Sequence, residues 1–243
     1  MTYCIGMLVR EGLVMMADTR TNAGVDNIST YRKLRLYGND GKRLIAVASA
    51  GSLSTTQGAI QRVTKGLAHP ETGKYENWGT FQSIYDAAIA AGRALRQVRD
   101  SMQDLAQAGV NFDATLLVGG SINGEPSRLF LVYSAGNTIE CAADTPYLQI
   151  GELKYGKPIL DRALHYDTPL NAAVKLGLLS FDSTMRANLA VGLPIDLMVA
   201  EAGAGQARTN IRIEESDDYY LELSQLWQQK LAKATDELPL PSY

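Results

Sequence analysis

The chain has 243 residues and a mass of 26.4 kDa, a length that suits one large domain or two small ones, with a single core the simpler arrangement. Lys and Arg number 23 against 26 Asp and Glu, a formal charge of −3 with no long single-sign block, which argues against nucleic acid and membrane surfaces as partners. Two cysteines and two histidines give neither a disulfide framework nor metal-site spacing, so no metal and no cofactor are expected.

A chain this long buries roughly 70 to 75 % of its unfolded surface without such staples. No apolar run approaches the ~18 residues of a membrane span, and the opening MTYCIGMLVREG lacks the charged and cleavage regions of a signal peptide. The expected location is the cytoplasm. One domain over residues 1–243 is expected, with the tail flexible from about residue 235 (DELPLPSY).

In chain order, a strand over Tyr3–Val9 is followed across Arg10, Glu11 and Gly12 by a second over 13–17, which reads as a hairpin. Segments 31–37 and 43–49 flank Gly38-Asn39-Asp40-Gly41, the turn residues of another reversal. A short helix opens after Gly51-Ser52, carries Leu53, Gln57, Ile60 and Val63, and closes at Gly66. Phe81, Ile84, Tyr85, Ala88, Leu95, Val98, Met102 and Leu105 recur at three- and four-residue steps, predicting a helix over 80–108.

Segments 112–119 and 128–133, joined through Asn123-Gly124, form a third hairpin that 138–142 extends. Thr168-Pro169 predicts a helix to about residue 188, with the threonine as its cap. A strand near Ile195–Glu201 follows, and a last helix begins after Ser216 with Asp217 and Asp218 at its positive end. Grouped strands without βαβ alternation indicate an α+β fold. Two stacked sheets between two helical layers, an αββα sandwich, would cover every apolar face.

Thr2 becomes the first residue if Met1 is removed. A hydroxyl is a weak nucleophile alone, but a terminal threonine has its own α-amine close enough to take the proton. An ordinary α-amine, with a pKa of about 7.7 to 8.0, is only about 15 % neutral at pH 7; lowering it by one unit raises that to roughly 60 %. A nearby cation does this. Lys33 in YRKLRL is the candidate, sharing a strand face with Tyr31 and Arg35. Asp18, after four apolar residues, could hold the lysine, and Gly51, at a strand-to-helix junction, could offer an N–H to an oxyanion. Taken singly, Thr2 reads as an ordinary second residue, Lys33 as a basic strand edge, Asp18 as a turn residue and Gly51 as a simple turn; their combination is more specific. His69 and His165 read as loop residues, Cys4 as a small buried residue, and Trp78 and Trp227 as packing anchors.

In collinear order, MTYCIGM, MMADTRTNAG, STYRKLRL and AVASAGSLSTTQGAI resemble the terminal-threonine strand, Asp-x-Arg segment, lysine strand and oxyanion turn of the N-terminal-nucleophile hydrolases of the proteasome β-subunit type. LQIGELKYGKPILDRAL and DSTMRANLAVGLPIDL resemble, within that family, the bacterial ancestral β-subunits. The resemblance extends to about residue 232. It implies the αββα sandwich, Thr2 as nucleophile, Asp18 and Lys33 as its activators and Gly51 N–H as oxyanion donor. It further implies Asn22 beside the substrate backbone, Ser49 and Leu53 near the side-chain pocket, peptide or amide substrates, and self-association into a ring or spiral. No feature for docking an ATPase is visible.

Three positions depart from that pattern. Glu152, Asn188 and Val191 stand where active proteasome subunits carry a serine in a Gly-Ser-Gly turn and an aspartate and serine three residues apart. Asp182 and Ser183 are candidates to take over that support. A threonine-type peptidase or amidohydrolase is therefore one reading, and a non-catalytic assembly or binding protein of the same fold is the other.

Overall fold

Side-chain alternation decides the layers. Tyr3, Ile5, Met7 and Val9 pack on one side of their strand and Cys4 on the other, while in the next strand Val14 and Met16 oppose Leu13, Met15 and Ala17. Each strand is thus buried on both faces. The computed structural model describes residues 1–22, 28–102 and 111–243, with the side chains of Asn22 and Ile28 outside that description.

The chain opens with β1 (Tyr3–Val9), β2 (Gly12–Asp18), β3 (Arg20–Asn22), β4 (Ile28–Thr30), β5 (Leu34–Gly38) and β6 (Arg43–Gly51). Helix α1 (Leu53–Lys65) follows, then β7 (Leu67–Ala68), β8 (Tyr75–Glu76) and α2 (Ile84–Asp100). Next come β9 (Ala114–Ile122), β10 (Arg128–Val132), β11 (Thr138–Glu140) and β12 (Tyr147–Gly151). Helices α3 (Lys157–Ala163) and α4 (Leu170–Ala187) lead to β13 (Ile195–Glu201), β14 (Thr209–Ile213) and α5 (Asp218–Asp236).

One sheet has the order β12-β1-β2-β13-β14 and the other β11-β10-β9-β6-β5, and neighbours in both are antiparallel. Leu13, Met15, Leu44, Ala46, Leu117 and Met198 fill the space between them. Helices α1 and α2 cover the outer face of the second sheet through Ile60, Val63, Leu95 and Val98. Leu160, Leu170, Phe181 and Tyr220 of α3, α4 and α5 cover the first. The expected αββα sandwich is the observed architecture.

Several boundaries differ from expectation, each for a local reason. The helix expected over 80–108 begins at Ile84, because Ser83 and Asp86 form a reciprocal capping box; Asn77 and Thr80 hold a separate turn before it. Leu105 and the rest of 103–110 lie outside the described residues. Thr168 does not cap α4: its Oγ1 accepts from His165 N at 2.9 Å, and the orphan N–H of Leu170 is capped instead by Glu11 Oε2, at 2.7 Å, from the β1–β2 turn. The strand expected from residue 31 starts at Leu34, since Tyr31 N bonds Thr19 O and draws the chain off the sheet.

Candidate active site

The register of β1 against β2 pairs Cys4 with Ala17, which sets Asp18 beside the start of β1. Tyr3 N donates to Asp18 Oδ1 at 3.0 Å. Lys33, in the extended segment leading into β5, crosses from the other sheet and donates its Nζ to the same Oδ1 at 2.7 Å and to Arg20 O at 2.6 Å. Both side chains are buried, Lys33 at 5 % exposure and Asp18 at 0 %. Burial pushes the Asp18 carboxyl up from its usual range, against the Lys33 ammonium and the Tyr3 N–H, which favour the anion. An ion pair this dry is costly to form and costlier to break.

Thr2 precedes β1, and its carbonyl accepts from Glu152 N at 2.7 Å. Gly151, opposite Tyr3, has φ +85°, and a Cβ there would overlap Thr2 O; only glycine lets β12 pass so close. Thr2, Lys33, Ser49, Gly51 and Leu53 line one cleft of about 340 Å³. Asp18 lies behind it, reached through Lys33. Asn22 is in β3, paired with Ile28, and its side chain is outside the described residues. Met1, Thr21, Tyr31, Ala50, Thr56 and Gly151 complete the walls. Local sequence does not mark these residues as cleft walls, although Tyr31 shares the alternation of Lys33, Ala50 precedes Gly51 and Gly151 precedes Glu152.

Gly51 closes β6 at φ +96°, where a Cβ would overlap Asp113 O. Ser52 N donates to Asp113 O, and Ser49 N donates to Lys33 O across the other edge. Alternation therefore turns the Gly51 N–H away from β9, toward the side where β5 has not yet begun. That orientation leaves a backbone donor at the cleft wall. Ser49 is itself buried, with Oγ 3.4 Å from Lys33 O.

The three departures from the family pattern fall together only in part. Glu152 Oε2 accepts from Asn188 Nδ2 at 3.0 Å, and its Oε1 accepts from Leu153 N and Lys154 N, each at 2.9 Å. Burial pushes the Glu152 carboxyl up, but these donors outweigh it and hold it below the usual range. Val191 is buried in the apolar layer under α4. Asp182 does not serve the cleft: its oxygens accept from Ser224 Oγ at 2.6 Å and Arg186 Nε at 3.1 Å, which ties α4 to α5. Cys4 is fully buried, its thiol pushed far up by desolvation, as an inert core residue.

Among the described residues no group of His, Cys, Asp and Glu could hold a metal, and no helix is long and apolar enough to cross a membrane. No family model and no curated protein matches the chain. Solved structures do. Anbu (ancestral beta-subunit) from Yersinia bercovieri is 42 % identical over 99 % of both chains, with a TM-score of 0.89. A Gly-1 mutant of Anbu from Hyphomicrobium sp. strain MC1 is 41 % identical over 100 % of both, with a TM-score of 0.90. The helical assembly of the Anbu complex from Pseudomonas aeruginosa is 38 % identical over 98 % of both, with a TM-score of 0.87. With such identity over nearly its whole length, the chain belongs to the Anbu family of ancestral β-subunits, whose fold is proteasome-like.

Proposed function

We propose that this chain is an N-terminal threonine hydrolase acting on peptide or amide bonds once Met1 has been removed. Thr2 Oγ attacks the carbonyl carbon, and the freed α-amine takes the hydroxyl proton. Gly51 N–H stabilises the tetrahedral oxyanion. Collapse breaks the C–N bond, the α-ammonium returns the proton to the leaving amine, and an acyl ester remains on Thr2. Water, deprotonated by the same amine, then hydrolyses the ester.

Lys33 disfavours the protonated amine, and Asp18 holds Lys33 in position. The observation that carries this reading is the buried Lys33–Asp18 pair, with Nζ 2.7 Å from Oδ1 and Lys33 on the wall of the cleft that Thr2 lines. While Met1 is attached, the Thr2 nitrogen is an amide and cannot serve as the base. The chemistry as written needs no metal or cofactor.

A second reading, a non-catalytic assembly or binding protein, is favoured by Glu152. Its carboxylate is engaged by Leu153 N, Lys154 N and Asn188, and Val191 offers the amine no polar group. Both readings include self-association into a ring or spiral; the Pseudomonas aeruginosa relative forms a helical assembly. Leu221, Leu226 and Leu231 on α5 are exposed and available for such contacts. Two buried free thiols suit a reducing cytoplasm.

Intact-mass analysis of protein from its native cell, with and without a threonine-directed β-lactone, separates the readings. The hydrolase predicts loss of Met1 and one adduct per chain, absent in Thr2→Ala. Retained Met1 and no adduct in fully assembled protein would leave only the assembly role.

A further inference from the structure

On the far side of Tyr31 from the cleft lies a second groove of about 530 Å³, and Tyr31 lines both. Arg35 stands on one side of this groove, and Ser54, Gln57 and Gln61 of α1 on the other. The Arg35 guanidinium lies 5.6 Å from the centre of the Tyr31 ring, and its Nη2 donates to Tyr31 Oη at 3.0 Å. A guanidinium carries five N–H donors, more than the phenols of Tyr31 and the neighbouring Tyr37 can engage. Arg35 Nε is buried without a partner among the described residues.

The charges on the two walls are unequal. Lys33 is neutralised by Asp18, whereas Arg35 has no carboxylate within ion-pair distance among the described residues. The facing α1 side chains are neutral, and among the described residues neither cleft nor groove has Asp or Glu in its lining. A half-buried positive charge beside neutral amides and hydroxyls selects for an anion, and a planar fork suits a carboxylate.

We propose that Arg35 makes the cleft selective for substrates bearing a carboxylate, as on a glutamate side chain, next to the attacked carbonyl. The proposal rests on the hydrolase reading for the position of that carbonyl. A side chain anchored there and extending past Tyr31 meets the open face of Arg35. A neutral isostere loses the charge-assisted bonds, and a lysine meets a like charge.

The test measures binding and turnover separately. The assembled Thr2→Ala protein is titrated calorimetrically with acetylated tripeptide amides ending in Glu, Gln, Leu or Lys. The Glu peptide is expected to bind about tenfold or more tightly than the Gln peptide, and Lys weakest. Arg35→Met should bring the Glu-to-Gln ratio to about one, and Arg35→Lys, which keeps the charge without the fork, should retain part of it. Equal binding of Glu and Gln, a preference that survives Arg35→Met with unchanged Tm, or no binding by any peptide overturns the proposal. Should Arg35→Met not fold, a partial preference in Arg35→Lys that fades with added salt supports it, and a salt-independent one overturns it. Turnover of a Glu-containing amide by the Thr2 protein is measured in parallel. Glu-selective binding without turnover or β-lactone labelling sinks the hydrolase reading and leaves of this inference only the carboxylate selectivity that Arg35 confers on binding.

Discussion

Lys33 Nζ and Asp18 Oδ1 meet 2.7 Å apart, so this bond ties β2 of one sheet to the segment that leads into β5 of the other. Tyr3 N shares the same oxygen at 3.0 Å, linking the pair to the strand that carries Thr2. Stability and the candidate chemistry therefore depend on the same contact.

Breaking the pair from one side should cost more than removing it. Lys33→Met leaves a buried carboxylate alone, a loss of about 3 to 5 kcal/mol, whereas Lys33→Met combined with Asp18→Asn should recover much of it. Burial already holds Asp18 above its usual 3.8. A raised folded-state pKa favours folding most below the unfolded value, and the advantage is lost as pH rises through the folded one. Lys33→Met removes the main opposing influence, so its deficit should be small near pH 4 and grow toward neutrality. Urea unfolding of both variants at several pH values checks this; a pH-independent deficit contradicts it.

Three glycines separate strain from function. Gly73 has φ +68° with nothing within 4 Å of an added Cβ, so Gly73→Ala should cost only the backbone penalty, about 1 kcal/mol. Gly51→Ala drives its methyl against Asp113 O and Gly151→Ala against Thr2 O, so both should cost more. Only Gly151→Ala displaces the backbone of Thr2, the proposed nucleophile, directly. Its β-lactone labelling rate should fall by about tenfold or more, following a misplacement of order 1 Å, in protein that thermal melting shows to be folded.

Glu152 makes an acid-side prediction. Its hydrogen bonds hold its pKa below the ordinary 4.5, so its contribution to stability is present above 4.5 and is lost as pH falls through the lower, folded-state value. Glu152→Gln should flatten that part of the acid limb while changing stability at pH 7 far less than Lys33→Met does. Chemical denaturation between pH 3 and pH 7 measures the difference. An unchanged acid limb rules out this role for Glu152.

Local signals carried much of the fold and stopped where contacts became long-range. Gly12 and the Gly38–Gly41 turn marked hairpins because their geometry is encoded in a few adjacent residues. That β1 and β2 are buried on both faces emerged only from their packing between the layers. Strands β12 and β14 were not anticipated: they are short edge strands whose pairing with β1 and β13 is set by distant partners. At the site, residue types and spacing suggested Thr2, Asp18, Lys33 and Gly51. The sharing of Asp18 Oδ1 depends on register between sheets, which spacing cannot supply. The engagement of Glu152 by Asn188 spans 36 positions and was equally invisible locally.

The start of α4 offers a direct test of such a distant contact. Thr168 has the composition of a cap, yet Glu11 Oε2 holds Leu170 N at 2.7 Å from 159 positions away. Glu11→Ala should thus expose an orphan helix N–H and remove a carboxylate from the positive end of α4, costing about 0.5 to 2 kcal/mol. Thr168→Ala affects the preceding turn, where Oγ1 accepts from His165 N, and should leave the helix start in place. Hydrogen exchange at the Leu170 and Asn171 amides distinguishes the two: faster exchange in Glu11→Ala and little change in Thr168→Ala are expected. The reverse pattern would return the cap to Thr168.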